Sequence, residues 1–77
     1  MSRYFFDTGN GTFVRDDEGT EFDGVEAAEA GAIRCATEMA CDMLPTTVRE
    51  KPLRVVVRDL AGNQLLTVRL AVEVIRG

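Results

Sequence analysis

Near the C-terminus two segments alternate apolar and polar residues with a period of two, and a longer central segment repeats its apolar residues every three to four. The alternation Leu53, Val55, Val57 against Arg54, Val56, Arg58 predicts a strand over residues 53–59, and a second strand is predicted over 64–75. A turn centred on Ala61-Gly62 joins them. Pairing Leu60 with Asn63 sets a register in which Leu53 faces Leu70, Val55 faces Val68 and Val57 faces Leu66, a wholly apolar face. The opposite face then pairs Arg54 with Arg69, Val56 with Thr67 and Arg58 with Leu65.

The central segment reads as a helix over residues 24–44. Asp23 is its expected N-cap, with Glu26 placed three residues on to reach back, and Pro45 is its stop. Val25, Ala28, Ala32, Cys35, Ala36, Met39 and Met43 fall on one stripe, with Glu26, Arg34, Glu38 and Asp42 on the other side. A stripe so rich in Ala and Cys lets the helix lie close to whatever it covers. Before the helix, residues 3–7 read as a strand, Thr8-Gly9-Asn10-Gly11 as a turn, and residues 12–15 as a second short strand. Asp16-Asp17-Glu18-Gly19 is an acidic turn, and Thr20–Phe22 is a short extended piece whose pairing the pattern leaves open. A polar connection spans residues 45–52. These elements predict one α+β domain over residues 1–77: an antiparallel sheet of about four strands with one helix across one face, in the order ββαββ.

Composition changes the picture mainly by exclusion. The 77 residues are 45% hydrophobic and 29% charged, which is globular composition. Apolar runs fall well short of the roughly 20 residues of a membrane span, and the N-terminus lacks the apolar core of a signal peptide. There is no His, which removes Ser-His-Asp and Cys-His chemistry and every His-ligated metal site. Cys35 and Cys41 lie six apart on the predicted helix, a rise of about 9 Å, against a disulfide limit of roughly 7 Å. Cys35 is expected to be a buried thiol and Cys41 a more exposed free one. Unpaired thiols fit a reducing cytoplasm.

Thirteen acids against nine bases give a net charge of −4, which disfavours non-specific nucleic-acid binding. The acidic N-terminal third does not make a calcium loop. Taking Asp7 as its first position leaves Gly9, Gly11 and Thr12 where side-chain ligands and the turn glycine belong. Ser2 is the one serine, and Gly9-Asn10-Gly11 lacks the Lys and the following helix of a phosphate loop. No catalytic residue, metal ligand or cofactor site is therefore assigned, and the protein is expected not to be an enzyme. The candidate interaction face comprises Arg54, Val56, Arg58, Leu65, Thr67 and Arg69. Like charges opposite one another, as at Arg54 and Arg69, are mildly unfavourable without an anion nearby. Three arginines beside Val56 and Leu65, with an aromatic from the first strand, resemble a platform for single-stranded nucleic acid. The plainer readings are neutralisation by Glu50, Glu73 or another turn acid, or a dimer interface.

The opening Arg3-Tyr4-Phe5-Phe6-Asp7, the turn from Asp16 to Phe22, the Ala-rich helix and the hairpin Asp59-Leu60-Ala61-Gly62-Asn63-Gln64-Leu65-Leu66 look like a family of small bacterial proteins known as a domain of unknown function. Several of its members read Arg-Tyr-Phe-Phe-His, with His where this chain has Asp7. The resemblance implies length and layout, not chemistry. The strand, Gly turn and Ala/Glu-rich helix order, carried by Gly11, the acidic turn and Ala28/Ala32, also resembles HicB-like antitoxins, which bind a small toxin through such a domain. The resulting expectation is a small cytoplasmic protein-binding or regulatory module with an unidentified protein partner, forming a homodimer and not associated with membranes. The alternatives are RNA or single-stranded DNA binding through the arginine face, and a small enzyme with an unrecognised site.

Overall fold

The structure, a computed structural model, describes residues 1–42 and 51–77. Its elements run β1 (Ser2–Asn10), β2 (Thr12–Val14), β3 (Thr20–Phe22), α1 (Val25–Asp42), β4 (Leu53–Arg58) and β5 (Gln64–Leu70). The sheet is antiparallel in the order β2-β1-β4-β5, and β3 also pairs with β1. The expected α+β sheet with one helix is therefore present, and Thr20–Phe22 is a paired strand. The predicted helix end at Met43 and Leu44 and the connection 45–50 lie outside the described residues.

β1 is longer than its aromatic run implies. It continues through Thr8, Gly9 and Asn10, which face Val14, Phe13 and Thr12, so only Gly11 is left at the tip of the reversal, with φ of 99°. The predicted turn residues 8–10 are thus strand. A reversal this tight demands glycine at position 9, where a β-carbon would collide with the Thr12 carbonyl. The chain then returns along β1. With unbroken pairing Tyr4 would face Glu18; it faces Thr20 instead, because the acidic turn bulges by two residues.

β4 lies between β1 and β5, and Leu53, Val55 and Val57 are fully buried there. Period two puts these three on one face with Tyr4, Phe6 and Thr8 from β1 and Leu66, Val68 and Leu70 from β5. α1 covers that face through Ala28, Ala32 and Ala36, also fully or almost fully buried. With methyl groups alone at those positions the helix settles directly on β4. Phe22 fills the remaining corner, 5.5 Å from Phe6 and 6.2 Å from Tyr4 between ring centres. Gly31 leaves room for it: a β-carbon there would strike the Phe22 ring.

Four details differ from the sequence reading. The first helical bond runs from Ala28 N to the Gly24 carbonyl, 3.1 Å, so Gly24, with φ of 93°, is the N-cap, not Asp23. Val25, on the predicted stripe, is 46% exposed, at the rim of a depression shared with Met1, Tyr4 and Leu65. β5 stops at Leu70, not Ile75. The β4–β5 register holds as predicted from Leu53/Leu70 to Val57/Leu66 and then shifts, so that Arg58 faces Gln64 rather than Leu65. The hairpin closes through Asp59 N to Asn63 O (3.0 Å), with Gly62 at φ of 91°. That is a three-residue loop ending in a left-handed glycine, which displaces one residue of the following strand.

Candidate interaction face

The uncovered face of the sheet is organised by one ion pair. Asp7 on β1 and Arg58 on β4 point to this side, diagonally opposite and two residues apart in register. Arg58 Nε donates to Asp7 Oδ2 at 2.6 Å and a terminal nitrogen donates to Asp7 Oδ1 at 3.0 Å, a two-pronged contact. The same guanidinium donates to the Asp16 carbonyl at 3.1 Å and stacks over the Phe5 ring at 5.1 Å. Arg58 is consequently buried, at 8% exposure. Its neutralising acid is the strand residue Asp7, where the sequence suggested Glu50, Glu73 or another turn acid; Glu50 lies outside the described residues.

Asp16 extends this bracket into the bulged turn. Its Oδ2 accepts the Phe6 N–H at 3.0 Å, standing in for the ladder partner that the bulge removes. Its Oδ1 accepts the N–H groups of Glu18 and Gly19, and its own N–H donates to Asp7 Oδ1. The acidic turn is therefore a built structural unit, and two of the acids that suggested a cation site are bound to protein donors.

The two carboxylates give stability a definite pH dependence. The Arg58 guanidinium holds the Asp7 pKa below its usual value. At Asp16 burial pushes upward, but the three backbone donors outweigh it and its pKa also falls. Both groups bind a proton less readily in the folded chain than in the unfolded one. Their contribution is therefore present above the ordinary carboxylate pKa of about 4 and is lost as pH falls through the lower folded values. Thermal unfolding followed by circular dichroism should show a midpoint that is steady between neutral pH and about pH 5 and drops steeply below about pH 4. Asp16→Asn should flatten the drop.

The other predicted face residues separate into two groups. Arg54, Val56, Thr67 and Arg69 are brought together on the uncovered side, with Arg54 opposite Arg69 and Val56 opposite Thr67 as expected. Arg54, Thr67 and Arg69 are exposed. Leu65 does not join them. The register shift moves it to a shallow depression at the end of the sheet, lined also by Met1, Tyr4, Val25 and Leu60. Among the described residues no carboxylate lies within ion-pair distance of Arg54 or Arg69.

Phe13, Arg15 and Lys51 complete the face, and the sequence reading missed all three. Phe13 faces Gly9, which in turn faces Arg54, so one row crosses the sheet as Phe13, Gly9, Arg54 and Arg69. With glycine beneath it, Phe13 stands 45% exposed. It borders two shallow depressions. One of about 280 Å³ is shared with Asp7, Arg15, Val56 and Gln64, and one of about 310 Å³ with Gly11, Lys51, Pro52 and Arg54. The aromatic of this face thus comes from β2 as well as β1. Centring the first turn on Gly11 was the signal that would have placed it.

The thiols sit away from this surface. Cys35 is half-buried against the core, where burial raises its pKa, and Cys41 is exposed; both are free. No described helix is long and apolar enough to cross a membrane. No curated protein and no solved structure matches the chain significantly. The family described as a domain of unknown function, DUF6894, matches residues 3–71, from the second residue of β1 to the residue after β5, and the chain belongs to that family.

Proposed function

We propose that the protein is a non-enzymatic protein-binding module whose recognition surface is the uncovered sheet face. The observation that carries this reading is the Phe13–Gly9–Arg54–Arg69 row: a half-exposed aromatic ring and two adjacent arginines that no described acid neutralises. Aromatic residues and arginine are the side chains that protein interfaces concentrate. The Asp7–Arg58 bracket keeps the strands beneath them in fixed register, so little order has to be created on binding. The chemistry suits a partner presenting a carboxylate beside an apolar side chain. A polyanionic nucleic acid suits it less well. The net charge is −4, and the turn carrying Asp16, Asp17 and Glu18 lies beside β1.

The test is capture from lysate by the wild-type chain and by an Arg54→Glu/Arg69→Glu variant, each with and without nuclease. A single stoichiometric protein is expected on the wild type, unaffected by nuclease and reduced at least about tenfold on the variant, a step of roughly 1.4 kcal/mol. Bound material that disappears with nuclease would replace this reading with nucleic-acid binding. Equal capture by both chains would remove the arginine row from it.

A further inference from the structure

Among the described residues β5 is an edge strand, and its apolar alternation outlasts its pairing. Leu66, Val68 and Leu70 face the helix side, and Val72 and Val74 continue the same parity. The ladder to β4 nevertheless ends at Leu53/Leu70. The next position in that register is Pro52, just before β4 begins. Residues 71–77 are all exposed, with Val72 at 45%, Val74 at 55% and Ile75 at 82%. An exposed, β-branched extension of an edge strand is a template for another strand.

We infer that this edge pairs with the same edge of a second copy of the chain, antiparallel about Ala71. Charge complementarity and parity select that register. About Ala71, Arg69 lies opposite Glu73 of the second copy, and Glu73 opposite its Arg69, so each arginine crowded by Arg54 gains a carboxylate on its other side. Leu70 meets Val72 and Val68 meets Val74, all on the helix side. A slip of one residue would turn these valines onto the arginine face. Centring the pair on Leu70 or Val72 keeps the faces but parts Arg69 from Glu73. Because the two-fold axis about Ala71 stands perpendicular to the sheet, both helices lie on one side and both arginine faces on the other. The pairing shares Arg69 with the partner-binding reading but is tested separately through Glu73, which that reading does not use, and it sets the two arginine faces side by side on one surface.

Sedimentation of the full chain tests the inference, with circular dichroism to confirm that each variant is folded. Wild type is expected to be a dimer in concentration-dependent equilibrium with monomer. Glu73→Arg places arginine against arginine twice per dimer and should weaken the dimer about tenfold or more. The charge exchange Arg69→Glu/Glu73→Arg rebuilds both pairs in reverse and should restore it. A wild type that stays monomeric at its highest soluble concentration overturns the inference. So does a dimer insensitive to Glu73→Arg, or one that the exchange fails to restore.

Discussion

Asp7→Asn is expected to destabilise the fold by about 2–3 kcal/mol, lowering the thermal midpoint by about 10–20 °C for a domain of this size. Asparagine keeps the shape of the side chain and one acceptor oxygen, so the strand has no packing reason to move. What it removes is the charge opposite a guanidinium whose side chain is only 10% exposed. Breaking a fully buried pair from one side costs about 3–5 kcal/mol, because the remaining charge is left desolvated. Here Asp7 retains 16% exposure and water reaches the rim, so the lower part of that range applies. The amide also turns a donor toward Arg58 Nε, which itself needs an acceptor. Urea unfolding of Asp7→Asn, Arg58→Met and the double variant separates these contributions. The double variant should lie closer to wild type than Asp7→Asn alone, since methionine removes the stranded charge and still covers Phe5. If Asp7→Asn unfolds at the wild-type midpoint, the bracket does not hold the register of β1 against β4.

Where the chain's own chemistry is periodic, the fold was legible. The β4–β5 register from Leu53/Leu70 to Val57/Leu66 follows from alternation alone, because a one-residue slip of β5 would have turned Thr67 and Arg69 under the helix in place of Leu66, Val68 and Leu70. The Ala28/Ala32/Ala36 stripe follows equally from the helical period. The errors fall at ends, where local chemistry overrides period. At the hairpin, Asp59 accepts the Asn63 N–H with its side chain at 2.9 Å and Gly62 takes a left-handed conformation. Together they make a three-residue loop, and the residue it adds swings Leu65 off the face that its position in the alternation implied. At β5, period two carries on to Val74, but β4 begins at Leu53 and offers no partner beyond Leu70.

The face itself was half legible. Arg54 and Arg69 could be placed opposite one another from the hairpin, since only local pairing is involved. Arg58 could not be assigned its partner, because Asp7 is 51 residues away and meets it only once β1 takes the central position beside β4. No pattern within either segment encodes that neighbour. Likewise Asp16 reads as one of several turn acids, although it accepts three backbone N–H groups. The position that the family resemblance gives to His is here the acid that neutralises Arg58. The face therefore carries two arginines that no described acid neutralises, with the third held in the scaffold.

Leu53→Ala is expected to cost about 3 kcal/mol, within the range of roughly 2–5 for emptying a fully packed leucine site. Ile33→Ala should cost about 0.5 kcal/mol or less. Both truncate a large aliphatic residue, so transfer from water alone would rank them together. Their surroundings do not. Leu53 is fully buried, opposite Leu70, in a layer where three of the seven core residues are alanines and so have no side-chain reach to collapse into a void. Ile33 sits on α1 half exposed, and water refills the space its side chain leaves. A chain of this length has a total stability on the order of 4–12 kcal/mol, so Leu53→Ala removes a large share of it. The loss should appear as a lower urea midpoint with an unchanged slope, because the surface exposed on unfolding is nearly the same. Equal midpoints for the two variants would mean that the alanine-lined contact between α1 and β4 is not where the stability of this fold resides.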